Sequence, residues 1–214
     1  MPETTDNFSH FDLAALARPD AYKLLTSVVV PRPIAWITSR DSEGAVNVAP
    51  FSFFNMLSSD PAVVGIGFSS APDREGKDTY QNIRAHGEFV INMVPEELAN
   101  AMNLTATNVP RGMSEAEMAG LELAPAAMVD VPRLAASPAS LECRLLEFRS
   151  FGGTGVICLE QVHYVHILTA AISNPERFHF DPSKLRIIGR MHSPNGYTRT
   201  RDTFDIERKT WPLK

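Results

Sequence analysis

Apolar and polar positions along the chain fall mostly into short extended stretches separated by turn residues, with few long helical repeats. Residues 24–30 are rich in β-branched side chains and stop at Pro31-Arg32-Pro33, which predicts a first strand, and residues 34–39 predict a second. Asp41-Ser42-Glu43-Gly44 is a turn sequence leading into residues 45–48, so a hairpin is expected there. Residues 51–57, 62–68 and 89–94 are further extended segments. Two long strands are expected at 141–148 and 156–168, joined around Gly152-Gly153.

Helix signals are fewer. Lys77-Asp78-Thr79 offers a capped start and Gly87 a stop. Pro95-Glu96-Glu97 opens a second helix with a proline and acids in its first turn, with Leu98, Ala101, Met102 and Thr105 on its inner face. Ser114-Glu115-Ala116-Glu117 has capping-box spacing for a third, stopped by Gly120. Residues after 181 show little periodicity. Strands outnumber helices and follow one another through short links, which favours an antiparallel sheet closed into a barrel over a wound βαβ sheet. The expected fold class is mainly β with short helices, in a single domain.

At 214 residues the chain suits one large domain, and 44% apolar residues are enough for a core. A net charge of −5 argues against nucleic-acid binding, which needs a cationic face. Residues 181–214 run the other way, with eight lysines or arginines against four carboxylates. That stretch is either a docking surface for phosphates or a solvated or partner-clasping tail. The two cysteines, Cys143 and Cys158, form no CxxC pair, so neither a disulfide scaffold nor a zinc site is expected. No charged-then-apolar leader and no run of about 20 apolar residues is present, so the expectation is a cytoplasmic protein with no membrane contact.

Common nucleotide motifs fail residue by residue. Gly65-Ile66-Gly67 begins like a dinucleotide fingerprint, but Ser70 holds the third glycine position. Gly76-Lys77 resembles the end of a phosphate loop, but Asp78 replaces its Ser or Thr. His163 and His166 are three apart on an expected strand, and strict alternation would aim them at opposite faces, away from a shared metal.

Two stretches carry chemistry. Asn47-Val48-Ala49-Pro50-Phe51-Ser52-Phe53-Phe54-Asn55 alternates small or polar residues with aromatics. It is either a wall against which a flat ring lies, with amides and hydroxyls at the polar edge, or a bent core strand. Lys77-Asp78-Thr79 with Asn82 is either a phosphate site at a helix N-terminus or an ordinary capped surface helix.

Together with Pro31-Arg32-Pro33-Ile34-Ala35-Trp36, these stretches resemble the flavin reductase-like family, and the blocks at 87–92, 102–106 and 137–143 continue the likeness in the same order. The resemblance spans roughly residues 22 to 205. It implies the FMN-binding split β-barrel fold, an N-terminal extension at 1–20 and the domain with its tail at 21–214. It also implies a homodimer with sites near the subunit boundary. By position, Thr38 and Ser39 would meet the ribityl chain or phosphate, and Asn47, Ala49, Pro50, Phe51 and Ser52 the ring. Lys77, Asp78, Thr79 and Asn82 would hold the phosphate end, and Trp36 is a nearby wall or core.

The function implied is an NAD(P)H-dependent flavin reductase, with FMN as cofactor, NADH or NADPH as transient co-substrate, and a monooxygenase as possible recipient of reduced flavin. A flavoredoxin-like electron carrier and a non-catalytic flavin-binding module are the alternatives. Hydride transfer needs stacked rings about 3–3.5 Å apart and stabilisation of charge growing at the flavin N1/O2 edge. Arg32 is a candidate for that charge, or an exterior salt-bridge residue. His192 and Tyr197 stand where relatives often carry a glycine pair before a tyrosine; they are candidates for the site or for interface packing.

Overall fold

The computed structural model describes residues 7–69, 78–109, 113–192 and 194–211. Its frame is a seven-stranded antiparallel sheet in the order β2-β1-β5-β8-β9-β4-β3. The strands are β1 (Ala35–Arg40), β2 (Val46–Phe51), β3 (Phe54–Ser59), β4 (Ala62–Ser69), β5 (Glu88–Asn92), β8 (Ala139–Ser150) and β9 (Gly155–Ile167). A short ladder pairs β6 (Leu123–Ala124) with β7 (Arg133–Leu134). Two more pair β10 (Ile172–Asn174) with β11 (His179–Phe180) and β12 (Ile188–Arg190) with β13 (Tyr197–Arg199). The sheet curls until Phe51 of β2 meets Phe68 of β4 edge to face, ring centroids 4.7 Å apart. Close approach explains Gly67, since a Cβ there would lie 2.9 Å from Phe53 Cβ. The fingerprint-like glycines are thus packing residues of the barrel wall.

Strand β1 is buried on both faces. Ala35 and Ile37 enter the barrel core with Ile66, Phe68, Phe89, Ile91, Cys143 and Cys158. Ile34 and Trp36 enter a second core with Val48, Val94, Met102, Ala116, Leu134 and Ile188. Helix α2 (Asp78–His86) buries Thr79, Asn82 and Ile83 and packs on β1. Gly87 ends it with φ of +71°, a left-handed stop that favours glycine. Helices α3 (Ala99–Leu104) and α4 (Glu115–Met118) cover the other core, and Ser114 caps α4 through a 3.3 Å bond from Glu117 N.

The segment expected as a first strand is instead α1 (Arg18–Val28). Pro19 starts it, and its hydroxyl residues bond back along the helix, Thr26 Oγ1 to Tyr22 O at 2.8 Å and Ser27 Oγ to Lys23 O at 2.7 Å. The valine run begins only at its last turn, so β-propensity never governs the segment. Among the described residues, no helix is long and apolar enough to cross a membrane.

Candidate functional site

A shallow cleft opens where the free edge of β2 meets the first turn of α2. Asn47, Ala49 and Pro50 form one wall, Asp78 and Thr79 the second, and residues 105–109 with Glu115 the third. It adjoins a wider groove of about 780 Å³, which shares Asn47, Asp78, Val109 and Glu115 and extends along Asn82 and the turn at 41–43. Val48 N–H points off the sheet edge, and Pro50, two residues on, faces the same way and has no N–H to leave unpaired.

The polar floor of the cleft is one hydrogen-bonded network. Asn47 Oδ1 accepts from Thr79 Oγ1 at 2.7 Å and from Ser39 Oγ at 3.4 Å, while Ser39 Oγ accepts from Asn82 Nδ2 at 3.1 Å. Asn47 Nδ2 donates to Glu115 Oε1 at 2.8 Å, and Val48 N donates to Glu115 Oε2 at 3.2 Å. Four elements, β1, β2, α2 and α4, are tied through Asn47. In the sequence Glu115 is legible only as part of a capping box; an acid in a first turn gives no sign that it is buried against a distant strand. Thr105 and Ala106 are visible there only in a block of the resemblance and at the end of a helix, and residues 107–109 not at all.

Several expected contacts fall elsewhere. Trp36 is fully buried in the second core and donates Nε1–H to Thr105 Oγ1 at 2.9 Å, so it is not a cleft wall. Thr38 is also fully buried, its hydroxyl donating to Val90 O and accepting from Asn92, each at 3.4 Å. Ser39 lies beneath Asn47 with no exposed surface and acts through the network. Phe51 is in the barrel core, and Ser52 is half-buried in the bend before β3, outside the cleft lining. Lys77 lies outside the described residues.

Arg32 is not at the cleft. Its guanidinium donates to Thr26 O (2.8 Å) and Val29 O (2.9 Å) at the end of α1, and to Met191 O (2.7 Å) in the tail. A buried cation closes a helix C-terminus and clasps it to the tail. Arg32→Met is expected to lower stability by about 2–4 kcal/mol and to expose α1 to limited proteolysis, as read by thermal melts and mass spectrometry of the fragments. His192 and Tyr197 stay in the tail, and neither lines the cleft. The His192 ring packs on Gly196, and the Arg190 guanidinium stands 4.6 Å over the Tyr197 ring. Three of the tail's cations are paired: Arg199 and Arg201 donate to Glu96 at 2.6 Å each, and Arg186 lies 3.5 Å from Glu96 and 3.6 Å from Glu97. These pairs hold the tail to the segment before α3.

His163 occupies the extra position of a bulge in β9, where Glu142 pairs with Tyr164 and Cys143 with Val162, so strict alternation does not hold there. His166 bonds Glu142 at 2.6 Å. Among the described residues, no group of three or more His, Cys, Asp or Glu is placed to hold a metal ion. Burial pushes the thiols of Cys143 and Cys158 well above their ordinary range, so both are inert, protonated core residues.

The sequence model described as "Flavin reductase like domain" matches residues 27–182. An uncharacterized protein of Deinococcus radiodurans is 44% identical over 95% of this chain and 91% of its own length. The crystal structure of Pseudomonas fluorescens 2-nitrobenzoate 2-nitroreductase is similar with a TM-score of 0.86 and 32% identity, covering 96% of this chain and 99% of that one. Nitrilotriacetate monooxygenase component B from Bacillus cereus has a TM-score of 0.87 and 26% identity, covering 94% and 100%. The chain belongs to the flavin reductase-like family, and its fold is the split β-barrel in a single domain.

Proposed function

We propose that the cleft binds FMN and that the protein is a reductase passing hydride from NADH or NADPH to that flavin. The observation that carries this reading is the meeting, in one cleft, of the low-bulk edge Ala49-Pro50 with the first turn of α2. A flat ring needs a wall without projecting side chains, which Ala49, Pro50 and Ala106 provide, and a polar rim, where Asn47, Thr79 and Asn108 line the cleft. At the phosphate end, α2 offers its positive pole, and Lys77 precedes the helix by one residue.

When bound, FMN supplies the redox chemistry by accepting the hydride that the reduced nicotinamide gives up. The chain binds and orients. Thr79 and Glu115 fix the Asn47 amide from opposite sides, β2 supplies the flat wall, and residues 105–109 shield the cleft from bulk water. The likeness to a monooxygenase component supports delivery of reduced flavin to a partner monooxygenase, in the cytoplasm where both nucleotides are found. Exposed Tyr22 of α1 stands 6.1 Å from exposed Phe53, and Val28, Val29, Met56 and Leu57 on the same two segments are exposed as well, apolar surface suited to a second copy in a homodimer.

Titration with FMN, followed by quenching of flavin fluorescence, is expected to show saturable binding, and NADH or NADPH oxidation at 340 nm should depend on FMN. Absence of FMN binding overturns the reading. Tight binding with no nucleotide oxidation reassigns the protein as an electron carrier. Lys77→Ala is expected to weaken FMN about tenfold and riboflavin much less, because only FMN carries the phosphate. Equal weakening of both removes Lys77 from the phosphate end.

A further inference from the structure

We infer that Glu115 is the positioning residue of the cleft: its carboxylate sets the orientation of the Asn47 amide and through it the hydroxyl of Thr79. The inference rests on the flavin reading of the cleft and goes beyond it, since Glu115 is read here as acting on the wall and not on the flavin. Glu115 is 7% exposed and borders both the cleft and the groove. An ionised carboxylate only accepts hydrogen bonds, so each oxygen needs a donor. Oε1 takes Asn47 Nδ2–H and Oε2 takes Val48 N–H, the amide left free at the edge of β2.

The consequence for Asn47 is directional. An asparagine amide can be turned end for end at little cost when its neighbours both donate and accept. Here it cannot, because its NH₂ must face Glu115. Its oxygen therefore faces Thr79 and Ser39, both hydroxyl donors. With the Thr79 proton directed to Asn47, the first turn of α2 is held against β2 across 32 residues of sequence. Ala116, next to Glu115, is anchored in the second core with Val48, so the carboxylate reaches the strand from a fixed base. The walls that would grip the ring and the phosphate are thus locked to one another by a single acid.

This polarity predicts a compensating exchange. Glu115→Gln places an amide where Asn47 presents an amide, and Asn47→Asp places a carboxylate where Glu115 presents a carboxylate. The first change is relieved only if Asn47 turns end for end, which takes its oxygen away from Thr79 and Ser39, and the second sets one carboxylate against another. In the double variant the introduced glutamine would donate its amide to the introduced aspartate while its oxygen accepts Val48 N–H. The aspartate, in turn, would still accept from Thr79. Net charge is then the same as in the wild type.

The experiment measures FMN dissociation constants by fluorescence quenching for the four full-length proteins, with the visible circular dichroism of the bound flavin as a second readout of its orientation. Each single variant is expected to bind about tenfold more weakly with an altered dichroism band, and the double variant to return within about threefold of wild type with the native band. Equal affinities in all four proteins overturn the inference while the flavin reading stands. Failure of the double variant to recover also overturns it and points to direct contact between the carboxylate and the flavin. Absence of binding in the wild type overturns the flavin reading, and this inference with it. Should either single variant not fold, recovery of folding and FMN binding in the double variant decides the matter in the same way.

Discussion

Glu160→Gln keeps its stability between about pH 5 and about pH 8.5, whereas the wild-type protein loses on the order of 4 kcal/mol over that interval. Glu160 is fully buried on β9, opposite Val64 of β4 and Leu145 of β8, and neither carboxyl oxygen has a hydrogen-bond partner among the described residues. Burial pushes its carboxyl up from an ordinary 4.5 to about 8, against smaller opposing effects of the neighbouring Cys158 thiol and of its own backbone N–H. Between those two values the folded protein holds a proton on Glu160 that the unfolded chain has released. The unfolded state therefore binds fewer protons, and stability falls as pH rises through this window. Above about 8 both states are ionised and the slope vanishes. Glutamine has the same shape and does not titrate. Urea unfolding of both proteins across this range checks the expectation, and parallel curves would refute it. Glu160→Met, which removes the unpaired oxygens altogether, is expected to gain about 1–3 kcal/mol at neutral pH.

What the sequence disclosed follows from how local each interaction is. The hairpin at 41–44, the stop at Gly87 and the long β8–β9 pair are legible because period-two patterning and turn residues act over a few positions. Helix α1 escapes that pattern because its β-branched residues cluster at one end, whereas Pro19 and the hydroxyl back-bonds govern the rest. Within the site, the resemblance points to Asn47, Ala49, Pro50, Asp78, Thr79 and Asn82, and the structure gathers them at one cleft and its groove. It points to Thr38 and Ser39 too, but β1 is covered on both faces, so neither hydroxyl has surface to offer a ligand. Arg32, between two prolines, gives no sign that a helix end and a tail carbonyl surround it. The pairing within the cationic tail is not legible because net charge does not reveal it: Arg199 and Arg201 both donate to Glu96, about a hundred residues upstream. Glu115 is invisible for the same reason, since its partners are 67 and 68 positions away.

Glu142→Gln is expected to lose about 3–5 kcal/mol at neutral pH, the opposite outcome from the same substitution at Glu160. Both carboxyls are fully buried on the long β8–β9 hairpin, yet Glu142 accepts four hydrogen bonds: Ala127 N and Met128 N at 2.6 Å each, Val129 N at 3.1 Å and His166 Nε2 at 2.6 Å. Burial by itself would push its carboxyl up; the bonds from Ala127, His166 and Met128 together outweigh that and leave it below the ordinary value. A glutamine there turns an NH₂ toward backbone N–H groups and strands donors in the interior. The sign of the pH dependence is also reversed: the stabilisation from Glu142 is present above the ordinary carboxyl range and is lost as pH falls through the folded value. Urea unfolding at neutral and acid pH tests this, with a loss below about 1 kcal/mol counting against it. Amide exchange at 127–129 should quicken in the variant. The damage would not stay local, because Asp130 O, at the end of that loop, accepts Arg40 Nε at 3.0 Å and Arg40 Nη1 donates to Gly44 O at 3.0 Å. Glu142 thereby steadies the turn that borders the groove beside the cleft, so weaker FMN binding should accompany the loss of stability.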